Sequence, residues 1–79
     1  MHVEIYGVPR CKFCLMAKNL VEEYEISYTY TDVTDLEERA NMNLRLKSPA
    51  RSVPQIFVNN VHFPQGYEQL RLAVGATNF

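Results

Sequence analysis

Hydrophobic and polar positions change period several times along the chain, and each change marks an element. In Met1–Tyr6, Val3 and Ile5 share one face at a period of two, which predicts a short strand. Gly7-Val8-Pro9-Arg10 breaks the pattern as a loop. From Cys11 or Lys12 to about Glu25 the spacing becomes helical. Ala17, Leu20, Val21 and Tyr24 recur three and four apart, while Lys18, Asn19, Glu22 and Glu23 fill the opposite face. Ile26–Thr31 alternates again, with Ile26, Tyr28 and Tyr30 on one side, and predicts a half-buried strand.

Thr34 and Glu37 read as a capping box opening a second helix to about Leu46, with Leu36, Ala40 and Leu44 as its buried stripe and Ser48-Pro49 as its stop. Pro54–Val58 is nearly continuous in apolar residues, as a central strand would be. Asn59-Asn60 suits a tight hairpin turn at positive φ, returning through Val61 and Phe63. Gly66 opens a last helix that turns Tyr67, Leu70, Ala73 and Val74 inward and ends at Gly75. The order is β-α-β-α-β-β-α. The first crossover is expected to be right-handed and parallel, and the last two strands antiparallel.

Composition narrows the classes. The 79 residues suit one small domain, with a net charge of −1 and no basic run, which argues against a nucleic-acid partner. No apolar stretch is long enough for a membrane span, and MHVEIYG lacks a signal-peptide design. The expected compartment is therefore the reducing cytoplasm, where a lasting structural disulfide is unusual.

The chemistry centres on RCKFC, residues 10 to 14, which holds the only two cysteines. They fall where a loop becomes a helix, so unpaired N–H groups and the helix dipole favour a thiolate. Arg10 and Lys12 add positive charge beside Cys11. Cys11 at the tip suits an attacking thiol. Cys14, one turn in, suits a resolving thiol, and C-x-x-C beside a βαβ pattern is a redox signal. A structural zinc site needs four ligands, but only His2 and His62 remain as further candidates, so no metal is expected. A disulfide across two intervening residues would restrict the unfolded chain little. A redox pair fits best.

Nearly the whole chain resembles a glutaredoxin. VEIYG precedes CKFC, which stands at the family's C-P-Y-C position; AKNLVEE follows in the helix, and SVPQIFVNN and QGYEQL match later family segments. The resemblance implies a thioredoxin fold over residues 1–79 as a single glutaredoxin domain, α/β, with a four-stranded mixed sheet flanked by three helices. It implies a monomeric thiol–disulfide oxidoreductase with Cys11 and Cys14 catalytic, no bound cofactor, and glutathione as reducing co-substrate. Its partners would be disulfide-containing proteins, ribonucleotide reductase among the candidates.

By the same resemblance Pro54 is cis, and Val53 offers its backbone edge to substrate. Arg51 would meet a glutathione carboxylate, and the N–H groups of Gly66, Tyr67, Glu68 and Gln69 would meet the γ-glutamyl carboxylate. Arg10, Lys12 and Phe13 complete the expected contacts. The sequence departs from the family pattern at several of these positions. Gln65 replaces the first glycine of a pair, Gln69 an acidic residue, Val8 a basic one, Lys12 a proline and Phe13 a tyrosine. These departures keep two alternatives in view: a glutaredoxin-like redoxin recharged by thioredoxin reductase, and a glutathione-ligated iron–sulfur cluster carrier. Bulky Lys12 counts against the carrier.

Overall fold

The computed structural model describes residues 1–77; positions 78 and 79 of the expected domain lie outside them. Seven elements follow in order: β1 (His2–Gly7), α1 (Lys12–Glu23), β2 (Ser27–Asp32), α2 (Leu36–Leu44), β3 (Gln55–Val58), β4 (Val61–Phe63) and α3 (Tyr67–Thr77). The strands form one sheet of order β2-β1-β3-β4. β1 runs parallel to β2 and antiparallel to β3, and β3 pairs antiparallel with β4. Asn59 and Asn60 close the hairpin with φ of 49° and 67°, a left-handed turn that asparagine tolerates.

Alternation along β1 and β3 divides the apolar residues between the two sheet faces. Val3, Ile5, Ile56 and Val58 pack with Ala17 and Val21 of α1 and with Leu70 and Val74 of α3. Tyr6 and Phe57 point to the other face and meet Val33 and Met42. Full burial of each such aliphatic side chain contributes roughly 1.5–3 kcal/mol. The first face carries two helices and the larger core; α2 alone covers the second.

Local signals explain the helix ends. α1 stops at Glu23 because Glu25 turns left-handed, at φ 55°. The N–H of Ile26 then bonds to the Val21 carbonyl (2.8 Å) and that of Glu25 to the Glu22 carbonyl (3.1 Å), a Schellman closure. Tyr24 is consequently half exposed rather than inward, while Cys14 joins Ala17 and Val21 in the buried stripe.

Three further expectations need correction. The cap of α2 is Asp35, whose carboxylate accepts from the N–H groups of Glu37 (2.9 Å) and Glu38 (3.2 Å). The Thr34 hydroxyl instead donates to Asp32 at 2.7 Å, so the capping box does not form. Leu36 and Leu44 are 79% and 84% exposed, and Ala40 is exposed with them; Met42 is the buried residue of α2. Arg45 explains this orientation. It is three residues past Met42, on the same face, and reaches the sheet to bond both Glu4 carboxylate oxygens (2.6 and 3.2 Å) and the Tyr6 hydroxyl (2.8 Å). Its guanidinium also stacks 3.8 Å from the centre of the Phe57 ring. With Met42 and Arg45 turned to the sheet, the leucine stripe faces away. Finally, Gly75 does not end α3 but lies within it, its missing Cβ pointing into open space.

Candidate active site

Cys11 is the N-cap of α1, with extended backbone angles, and its sulfur accepts from the Cys14 N–H at 3.2 Å. A sulfur in this position stands on the positive end of the helix dipole. The two cysteines are joined as a disulfide, their Cα atoms 5.2 Å apart. Cys11 is half-buried at the tip, whereas Cys14 is only 1% exposed. An incoming thiol or disulfide thus meets Cys11 first.

The Val53-Pro54 peptide bond is cis. It brings the Val53 carbonyl oxygen within 3.9 Å of the Cys11 sulfur, although the residues are 42 apart in sequence. Gly66 lies behind this turn at φ 63°, and a Cβ there would come 3.4 Å from the Pro54 carbonyl oxygen. That is an ordinary contact, so it is the positive φ that favours glycine here. Phe13 projects from α1 with 52% of its surface exposed, its ring centre 6.0 Å from that of Tyr67. Phe13, Val53, Pro54, Gly66, Tyr67 and Glu68 line a groove of about 360 Å³.

Gly66 does not offer its N–H to this groove, because it donates to the Phe63 carbonyl at 2.9 Å. The first bond closing onto the α3 start runs from the Leu70 N–H to the Gly66 carbonyl. The N–H groups of Tyr67, Glu68 and Gln69 precede it and sit at the helix end where anions are favoured. Glu68 is ion-paired with Arg71, which holds its carboxyl below the usual carboxylate range. Gln69 turns back to accept from the Gln65 N–H at 3.1 Å.

Arg51 is not among the groove's lining residues. It borders one hollow with Lys47 and His62 and another with Arg39 and Met42, on the α2 side. Arg10 and Lys12 border the hollow on the other flank of α1, together with Cys11. The groove therefore gathers Phe13, Val53, Pro54, Gly66, Tyr67 and Glu68, while the cations stand around it. No group of three His, Cys, Asp or Glu side chains among the described residues is arranged to hold a metal.

Tyr30 was legible only as a half-buried strand residue, yet it belongs to the site. A Cβ on Gly7 would lie 2.4 Å from the Tyr30 hydroxyl oxygen and 2.9 Å from the Cys14 sulfur, so both atoms converge where Gly7 has no side chain. The Tyr30 hydroxyl donates to the Val8 carbonyl at 3.4 Å. Burial, with Asp32 nearby, raises this phenol above its usual range. The inward face of β2 was the available signal; proximity to sulfur depends on sheet register.

Comparison with known proteins agrees with this geometry. The glutaredoxin family model matches residues 3–63. Glutaredoxin 1 of Salmonella typhimurium is 32% identical over 68 residues, covering 78% of each chain. Glutaredoxin 1 of Rickettsia prowazekii is 34% identical over 59 residues, which is 73% of this chain but only 62% of the relative's length. The structure of reduced Escherichia coli glutaredoxin superposes with a TM-score of 0.76 at 28% identity, covering 96% of this chain and 95% of that one. With its sheet order, its Cys11–Cys14 disulfide and this match, the chain belongs to the glutaredoxin family and has the thioredoxin fold.

Proposed function

We propose that this protein reduces protein disulfides and glutathione mixed disulfides in the cytoplasm, with glutathione as its reductant. The observation that carries this reading is the placement of Cys11, which caps α1, is bonded to Cys14 and faces the carbonyl before a cis-proline beside the Phe13–Tyr67 groove. In the reduced protein the Cys11 thiolate attacks one sulfur of the substrate disulfide. A Cys11–S bond forms, the substrate S–S bond breaks, and the second sulfur leaves as a thiolate. Cys14, after losing its proton, attacks the Cys11 sulfur and releases the remaining substrate thiolate. The Cys11–Cys14 disulfide then carries the two-electron oxidation. Two glutathiones reduce it again and leave as glutathione disulfide.

Extended substrate can pair with the backbone at Val53, as a short added strand. Phe13 and Tyr67 give glutathione an apolar wall, and the N–H groups at the start of α3 suit its γ-glutamyl carboxylate. Arg10, Lys12 and Arg51 supply positive charge around the groove rather than within it.

The one-cysteine variant tests this. Removing a glutathionyl group needs only Cys11 and a second glutathione, whereas a protein mixed disulfide is released by Cys14. Cys14→Ser should retain activity on a glutathionylated peptide and lose most of it on a protein disulfide; Cys11→Ser should lose both. A second reading follows from Arg51 lying outside the groove and Gln65 replacing a glycine. In it, the same pair is recharged by thioredoxin reductase. Recharging by thioredoxin reductase alone, with Cys14→Ser inactive on glutathionylated peptide, would select that redoxin.

A further inference from the structure

Cys11 itself lines a second hollow, of about 480 Å³, with Val8, Arg10, Lys12, Leu15 and Lys18. It shares no lining residue with the Phe13–Tyr67 groove. Lys12, Leu15 and Lys18 are three apart on α1 and share one flank, while Phe13 turns to α3. The wall opposite α1 is Tyr30 and Asp32 of β2.

Two properties of this hollow ask for an occupant. Its α1 wall is apolar in part, with Leu15 exposed over 56% of its surface. Its rim is cationic: Arg10, Lys12 and Lys18 have no ionic or hydrogen-bonded side-chain partner among the described residues. The single lining carboxylate, Asp32, accepts the N–H and hydroxyl of Thr34 on Oδ1, at 2.9 and 2.7 Å, so one negative charge stands against three cations and the hollow stays net positive.

We propose that this hollow docks the protein part of a disulfide substrate, and that its preferred occupant is an acidic segment with an apolar residue beside the cysteine. The proposal rests on Cys11 being the attacking sulfur. In the exchange step Cys11 attacks one substrate sulfur in line with the departing one, so the two halves of the substrate leave the attacked sulfur in different directions, and one of them can follow the flank of α1 lined by Leu15. Glutathione, or the chain in its place, occupies the Phe13–Tyr67 side. The other half meets Leu15 and the three cations, which attract its carboxylates and favour the departing thiolate.

Single-turnover reduction tests this with protein first reduced by dithiothreitol and then freed of it. The probes are two disulfide-bridged peptides identical except for Glu or Lys around one cysteine. No glutathione enters, so the measurement stands even if glutathione is not the natural reductant. At low salt the second-order rate constant should be about fivefold higher for the Glu peptide, the gain expected of a few exposed charge pairs, and the gap should close in high salt. Lys18→Glu should abolish or invert the preference, and Lys18→Gln should narrow it. Equal rates for the two peptides with the unmodified protein would overturn the proposal. So would a preference that salt and Lys18→Glu both leave intact.

Discussion

Cys11 and Cys14 differ in surroundings more than their three-residue spacing suggests. One caps a helix at the surface; the other is sealed beneath it beside Tyr30 and Gly7. In the reduced protein, iodoacetamide at neutral pH should label Cys11 well before Cys14, as peptide mapping would reveal. Labelling of Cys14 first would reverse the roles assigned to the two sulfurs. Asp32 gives a second residue-level expectation. Its hydrogen bonds from Thr34 hold its carboxyl below the ordinary 3.8. A carboxyl depressed by folding contributes stability above its unfolded pKa, and that contribution is lost as pH falls through the folded value. NMR titration should therefore find Asp32 more than half ionised at pH 3.8, where exposed aspartates are half protonated, and Thr34→Ala should move its pKa upward.

Helix α2 was the element read least well. Its existence was legible, but the Thr34-x-x-Glu37 pattern put its cap one residue early, and only the fold moves it to Asp35. Asp32 takes the Thr34 hydroxyl, which leaves Asp35 to satisfy the first-turn N–H groups. Asp35→Ala should accordingly cost about 1 kcal/mol in urea denaturation, the usual loss for a cap. Thr34→Ala should cost clearly less; equal losses would mean that both side chains hold the turn. The leucine stripe misled for a related reason. A period of four identifies an apolar face, but Arg45 chose which face meets the sheet, and its partners come from β1 and β3. The strands were easier, because period two in β1 marks its Val3–Ile5 face and the continuous apolar run of β3 marks a strand covered on both faces. Gly75 shows the converse limit, since a glycine near a helix end can simply continue the helix.

Across the whole molecule, the residues that make the site were legible where chemistry is local. The cysteine pair at the start of α1 and the glycine before α3 fell where the residues themselves placed them, and the Val53-Pro54 bond is cis as the family resemblance implied. What lay beyond reach was relative placement: Arg51 off the groove, Tyr30 against Cys14, and two separate hollows flanking α1.

The unequal covering of the two sheet faces has a further consequence. One face is held by two helices over the main core, while α2 is held by Met42, its buried residue, and by the Arg45 bridge to Glu4, Tyr6 and Phe57. Such an element should open on its own before the rest unfolds. Native-state hydrogen–deuterium exchange should show the amides of α2 exchanging through a sub-global opening, at a lower free energy than those of β1, β3 and α1. Arg45→Ala, which removes a stacked and partly buried ion pair, should lower that opening energy by about 1–2 kcal/mol while the amides of α1 change far less. Uniform exchange of all three helices would instead mean that the molecule opens as one cooperative unit.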